Sequence, residues 1–293
     1  MQSLFRVCID IFMVVKSQAT NKNKTTNTRP FLKWAGNKYR IIDRIRKSLP
    51  AGKCLIEPFA GSCAVFLNTD YESYIINDNN PDLINLYTIL KKDGAAFIKK
   101  CRYYFTPRFN NEEQYYKLRQ KFNDTNDIYK RAVLFVYLNR HGYNGLCRYN
   151  LKGGYNVPFG RYKSPYFPEK EMLVFQEKAK KAKFVLSSFE NIIKSAKDGD
   201  VIYCDPPYVP LSASANFTSY STGGFNMEKQ QQLADLANDI ASKGIPILIS
   251  NHNTSFTRKA YDKAKITKFH VQRFISCNGK KRGSAGELLA LFK

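Results

Sequence analysis

An α/β fold is expected, with a mainly parallel sheet interrupted by a basic, mostly helical insert. Three stretches predict it. Val201-Ile202-Tyr203-Cys204 is a short β-branched and aromatic run, read as a buried strand, and it stops at Asp205-Pro206-Pro207-Tyr208. Cys54-Leu55-Ile56-Glu57 is a second strand, running into Pro58-Phe59-Ala60-Gly61 and then a helix through Val65, Phe66 and Leu67. Tyr74-Ile75-Ile76-Asn77 is a third, ending at Asp78. Strand, turn and helix in succession wind a parallel sheet, which binds ligands at the carboxyl ends of its strands.

The 293 residues allow one large domain or two small ones. Lys and Arg number 47 against 24 Asp and Glu, a net charge of +23, and 14% of residues are aromatic. That mixture suits a polyanionic partner, with a generally basic surface as the plainer alternative. Charge alone does not separate DNA from RNA. The seven cysteines are scattered without a Cys-x-x-Cys pair, so they read as reduced thiols of a cytosolic protein. His141, His252 and His270 show no metal-ligand spacing, and no metal is expected.

Met1 to Lys16 is mostly apolar, but Asp10 interrupts it and no small-residue cleavage site follows. It is also too short to cross a bilayer. Residues 1–28 are therefore expected to form a loosely ordered extension without a membrane role, and Met13 is a competing start. The folded part should begin at Phe31-Leu32-Lys33-Trp34-Ala35-Gly36-Asn37-Lys38, followed by a helix from Ile41 to Leu49 that Pro50 stops. Lys33 and Lys38 flank the only tryptophan. Either Trp34 is a core anchor with solvated lysines around it, or the three form a rim for an adenosine-like ligand.

The turn after Glu57 holds one glycine, so it is not the dinucleotide fingerprint. It still lets a ligand approach the backbone at a helix start. Asp78 lies 17 residues past Gly61 at a strand tip, where an acid can hold two ribose hydroxyls. The alternative for Asp78 is a helix cap. Asn80, just before Pro81, suits that role better and leaves Asp78 available.

From Leu83 to about Leu186 the character changes. Helical periodicity with many Lys and Arg runs through Leu83 to Tyr104, Gln114 to Phe122 and Tyr129 to Leu138. Arg140-His141-Gly142-Tyr143-Asn144-Gly145-Leu146-Cys147-Arg148-Tyr149-Asn150 follows, then a hairpin turn at Lys152-Gly153-Gly154-Tyr155, then Asn156-Val157-Pro158-Phe159-Gly160-Arg161-Tyr162. Arg can be bidentate to guanine and Asn to adenine, so this density reads as nucleic-acid recognition rather than a Tyr- and Gly-rich structural loop.

Val209 to Gly224 is polar and is expected to be a mobile loop over the site. Met227 to Ala241 reads as an amphipathic helix and Ile245 to Ser250 as a buried strand. Lys268 to Ile275 and Leu288 to Phe292 should pair as a hairpin whose connecting loop carries Lys280, Lys281 and Arg282 toward phosphate.

Asp205-Pro206-Pro207-Tyr208 forms a stiff lip, because the prolines fix the backbone and donate no N–H. The exocyclic amine of adenine or cytosine is a poor nucleophile, since its lone pair is delocalised into the ring. Two acceptors, the Asp205 carboxylate and the Pro206 carbonyl, can bind its N–H groups and favour a pyramidal nitrogen. Tyr208 can stack on the base, a contact of about 1–3 kcal/mol. A turn that merely ends a strand is the common alternative.

The segment around Trp34, the glycine turn with Asp78 and the lip together resemble an S-adenosylmethionine-dependent amino-methyltransferase. The resemblance extends to the Dam family of DNA adenine-N6 methyltransferases through residues 31–38, 57–68, 132–148, 156–162, 201–218 and 287–291, and covers essentially 30–292. It implies a Rossmann-like methyltransferase sheet of seven strands, one of them antiparallel. Residues 29–82 and 187–293 would form the catalytic domain, and 83–186 the target-recognition domain with its β-hairpin. It implies catalytic roles for Asp205, Pro206, Pro207 and Tyr208, and cofactor contacts from Trp34, Lys38, Phe59, Gly61, Asp78 and Asp205. Lys33, Arg140, Tyr143, Asn144, Leu146, Arg148, Pro158, Arg161 and Tyr162 would contact double-stranded DNA at GATC. Asn37 and Cys63 stand where relatives often carry glycine, and would perturb cofactor affinity if a positive φ is needed there. The expected activity is methyl transfer from S-adenosylmethionine to adenine N6 with base flipping, by a monomer in the bacterial cytoplasm or nucleoid. A structured-RNA methyltransferase and a non-catalytic DNA-binding module are the alternatives.

Overall fold

The computed structural model describes residues 27–210, 225–272 and 284–293. Most of the expected amino-terminal extension, most of the Val209 to Gly224 loop and the Lys280, Lys281 and Arg282 tip lie outside the described residues.

One sheet forms the frame. Its strands are β1 (Cys54–Glu57), β2 (Ser73–Asp78), β3 (Ala182–Leu186), β4 (Asp200–Cys204), β5 (Ile247–His252), β6 (Lys265–Gln272) and β7 (Ser284–Phe292), in the order β3-β2-β1-β4-β5-β7-β6. Neighbours from β3 to β5 are parallel, and β7 runs antiparallel between β5 and β6. The seven strands and the single reversed one agree with the sequence expectation. The chain steps outward from β1 to β2 and β3, then returns to β4 on the other side of β1. Strand order therefore reverses between β1 and β4, which is where open α/β sheets bind ligands. Glu57 and Asp205 stand at those two carboxyl ends.

The helices are α1 (Ile42–Ser48), α2 (Ala64–Leu67), α3 (Pro81–Arg102), α4 (Glu112–Asp124), α5 (Ile128–His141), α6 (Glu169–Ala179), α7 (Phe189–Lys194), α8 (Met227–Ala241) and α9 (Ser255–Ala260). Asn80 caps α3, its side chain accepting from Asp82 and Leu83 N–H with Pro81 in the first turn. β1 and α8 have the bounds read from the sequence. Four elements of the described chain escaped that reading: α6, β3 and the short helices α7 and α9. The first is rich in Lys and Glu, though Met172, Phe175 and Ala179 are buried at helical spacing. The second is an edge strand carrying Lys183, so it lacks a continuous apolar run.

Buried faces of α3, α4, α5 and α6 join the sheet in one core, which includes Leu55, Tyr87, Phe122, Leu134 and Phe175. Phe31 packs edge-on against Tyr87 and Phe175, so the start of the folded chain is bolted into that core. The other sheet face is covered by α7 and α8, with Ile193, Leu233 and Ile240 buried against Ile202 and Ile249. The expected β-hairpin is a tight turn closed by two isolated bridges, Tyr149 to Tyr155 and Gly142 to Phe159, rather than a ladder. Asn150 accounts for this, since its side chain accepts from Lys152 N–H at 3.0 Å and Gly154 N–H at 2.9 Å.

Candidate active site and nucleic-acid interface

One stretch, Lys33 to Lys38, touches three neighbourhoods. Lys33 exchanges backbone hydrogen bonds with the Asn139 side chain on α5, at 2.9 and 2.7 Å. Trp34 borders the glycine turn, where a Cβ added to Gly61 would come within 2.8 Å of its Nε1. The buried Lys38 ammonium lies 2.7 Å from Asp205 Oδ1, donates to Gly36 carbonyl at 2.6 Å, and sits 4.5 Å from the Tyr208 ring centroid. Lys33 and Lys38 therefore tie the recognition loop to the lip across the four residues between them.

At the glycine turn, Gly61 N–H donates to Asp78 Oδ2 and Asn80 N–H to Asp78 Oδ1, both at 3.0 Å. Burial raises the Asp78 carboxyl above its ordinary range, and these N–H donors pull it back. Tyr87 on α3 anchors the turn from below by donating to Gly61 carbonyl at 2.5 Å. Gly61 has φ +47, and Cys63 is left-handed as well, with φ 60 and ψ 33. Asn37 has φ −51, so of the two departures from glycine only Cys63 occupies backbone that a side chain resists. Phe59 stacks on Phe189 with centroids 5.4 Å apart and meets Phe225 edge-on. Beside the turn, Glu57 is fully buried with Oε1 lacking a hydrogen bond, and burial pushes its carboxyl up to about 8.

The lip is braced by residues the sequence reading did not single out. Ser250 Oγ donates to Asp205 Oδ1 at 3.0 Å and pairs with Tyr203 OH at 3.0 Å. Gln230 Nε2 donates to Pro207 carbonyl at 2.6 Å, and Asn251 links Gln230, Tyr261 and Val209 N–H. Tyr208 packs edge-on against His252 with centroids 4.7 Å apart, and its hydroxyl donates to Glu287 at 3.4 Å. Among the described residues, the Pro206 carbonyl and Asp205 Oδ2 accept no such bond. Burial lifts the Asp205 carboxyl, while Lys38 and then Ser250 lower it. A signal for the missed residues existed: Ser250 and Asn251 are polar positions at the end of a buried strand.

The recognition stretch folds over α5. Lys33 Nζ lies 3.9 Å from the Tyr162 centroid, and the Tyr162 hydroxyl accepts from Asn144 N–H at 2.9 Å. Tyr143 is half-exposed and its N–H donates to Pro158 carbonyl at 2.9 Å. Gly145, at φ +61, has no room for a Cβ because the Lys33 side chain fills that space. The exposed Arg148 donates Nε–H to Asn156 Oδ1 at 2.7 Å and an Nη2–H to Asn156 carbonyl at 3.2 Å. Leu146 is partly buried against the core. Arg140 bonds Phe31 and Tyr166 carbonyls, and Arg161 pairs with Glu112 at 3.3 Å. Lys33, Tyr143, Asn144, Pro158 and Tyr162 thus come together, whereas Arg140, Arg148 and Arg161 each bond other groups of the protein. His141 is buried under Phe105 and Tyr137, with desolvation driving its pKa down to about 4, as expected of a core histidine. Among the described residues no three His, Cys, Asp or Glu side chains come together as a metal site.

Residues 34–275 match the family model for D12 class N6 adenine-specific DNA methyltransferases. The DNA adenine methylase of Escherichia coli (strain K12) is 53% identical over 265 residues, 90% of this chain and 95% of its own. That of Serratia marcescens is 53% identical over 266 residues, covering 90% and 98%. That of Vibrio cholerae serotype O1 is 50% identical over 265 residues, covering 90% and 96%.

Proposed function

Because this chain belongs to the D12 class of N6 adenine-specific DNA methyltransferases, we propose that its target adenine lies in GATC and is flipped out of the duplex into the Asp205 lip. The substrate is DNA, the modified atom is adenine N6, and the methyl donor is S-adenosylmethionine. When bound, that donor supplies an electrophilic methyl group on a sulfonium centre.

The residues present fit the donor. A Cβ on Gly61 would fill the space beside Trp34, so the turn is a cradle kept open by glycine. Asp78 stands at its edge as the acceptor for ribose hydroxyls, with Trp34, Phe59 and Lys38 lining the remainder. At the lip, Asp205 Oδ2 and the Pro206 carbonyl accept the two N6–H bonds and localise the nitrogen lone pair. Lys38 works against the desolvation that raises the Asp205 carboxyl and so favours its ionised form, the stronger acceptor of N–H. Tyr208 offers a stacking face, and Pro207 stiffens the lip. The carboxylate is recessed, so a base inside the stack would not reach it, and unstacking costs a few kcal/mol. Catalysis rests on positioning and preorganised acceptors. No cysteine is needed, nor a strong base, because the alkylated amine sheds its proton readily.

Residues 29–82 and 187–293 serve as the catalytic part and 83–186 as the reader, although the last strand of that span, β3, is part of the catalytic sheet. Within the reader, Arg148, with Asn144, addresses base edges, Tyr143, Leu146 and Pro158 fill the gap left by the departed base, and Tyr162 backs them together with Lys33 from the catalytic part. Arg140 and Arg161 act by holding this surface together. The enzyme acts as a monomer on the bacterial chromosome, and no helix among the described residues is long and apolar enough to cross a membrane. The juxtaposition of Lys38, Asp205 and Tyr208 carries this reading. Its test is incubation with radiolabelled S-adenosylmethionine and duplexes differing only at GATC, followed by mapping of the methyl group. Label at adenine N6 in GATC alone is expected, and equal labelling of duplexes without GATC would refute the specificity.

A further inference from the structure

Asp82 is buried in the first turn of α3, four residues after the cofactor-side acid Asp78. Arg131 on α5 grips both of its oxygens, Nε to Oδ1 at 2.7 Å and Nη2 to Oδ2 at 2.9 Å. Oδ2 also accepts from the Tyr149 hydroxyl at 2.7 Å. Tyr149 is the residue after Arg148, and its ring packs edge-on against the buried Tyr155 with centroids 5.6 Å apart. Asn80, the cap of the same helix, reaches Cys147 Sγ at 3.7 Å, so both chain neighbours of Arg148 are fastened to the amino end of α3.

We propose that Tyr149, through its hydroxyl on Asp82, is a specificity-determining positioning residue that fixes Arg148 relative to the catalytic lip. This rests on the reading of Arg148 as a base reader. Two of its five guanidinium N–H groups are committed to Asn156, and three remain for a bidentate contact with a guanine edge. Such a contact tolerates little displacement, and the exposed turn has no strand ladder to hold it. The hydroxyl on Asp82 supplies the missing fixed point. It references the turn to α3, whose amino end carries the Asp78 turn beside the cofactor cradle.

Tyr149→Phe tests this, because Arg131 still satisfies Asp82 and the ring still packs. The kcat/KM of wild type, Tyr149→Phe, Arg148→Ala and the double variant is measured on GATC and on duplexes with one base pair replaced. Melting temperature and S-adenosylmethionine affinity serve as controls. Tyr149→Phe should lower discrimination about tenfold at the base pair that Arg148→Ala relaxes, with both controls near wild type. In the Arg148→Ala background it should lower discrimination no further. If Tyr149→Phe slows all duplexes equally, or its effect adds in full to that of Arg148→Ala, the positioning role is overturned. If Arg148→Ala itself leaves discrimination intact, the base-reading assignment fails and the proposal fails with it.

Discussion

Burial raises the Asp205 carboxyl above its ordinary range, and the Lys38 ammonium at 2.7 Å opposes that. Asp205→Ala should abolish methyl transfer, raising the barrier by at least ~3 kcal/mol, while DNA binding in gel shifts stays close to wild type. Lys38→Met should act on the same carboxylate through charge. Removing the ammonium raises the Asp205 pKa, so the carboxylate is protonated over more of the acid range. The acid limb of the kcat/KM profile should then move to higher pH, and an unmoved limb would separate Lys38 from Asp205 ionisation. The sequence displayed Asp205, Pro206 and Tyr208 because two prolines after an apolar run are conspicuous. Ser250 and Asn251 left only the mark of polar residues ending a buried strand, and Gln230 left none, because their roles depend on which strands and helices become neighbours.

At the level of elements, the turn between β1 and α2 needs left-handed backbone at both Gly61 and Cys63. Gly61→Ala adds a Cβ against Trp34 in a conformation that costs an L residue about 1–2 kcal/mol. S-adenosylmethionine affinity in calorimetry should fall at least tenfold, and the emission of the single tryptophan should shift. Cys63→Gly removes the backbone penalty at its position, so cofactor affinity should stay within a few-fold of wild type. Local chemistry made several elements legible. The apolar runs defined β1 and β4, and Asn80-Pro81 announced the start of α3. Elements whose signal is long-range were harder. Edge strand β3 is half-buried and depends on its pairing with β2, and the recognition turn is shaped by the Asn150 side chain instead of a ladder.

The molecule as a whole carries +23, and this excess acts on DNA independently of sequence. For duplexes lacking GATC, log K should fall linearly with log[salt]. Replacing Lys280, Lys281 and Arg282 with alanine together should flatten that slope by roughly 0.9 per lost phosphate contact and weaken all duplexes alike. An unchanged slope would mean that those charges do not meet phosphate. The sheet's strand order has a temporal consequence as well. β1 pairs with β4, Cys54 opposite Asp200, and β7 inserts between β5 and β6. Contacts so distant along the chain form slowly, since a long loop must close before they are rewarded. During synthesis Lys38 leaves the ribosome well before Asp205, and Glu287 follows well after it. A growing chain carries Trp34, Gly61 and Asp78 long before it owns Asp205, Ser250 and Glu287, so the ion pair of Lys38 with Asp205 waits for the second half of the sheet to emerge.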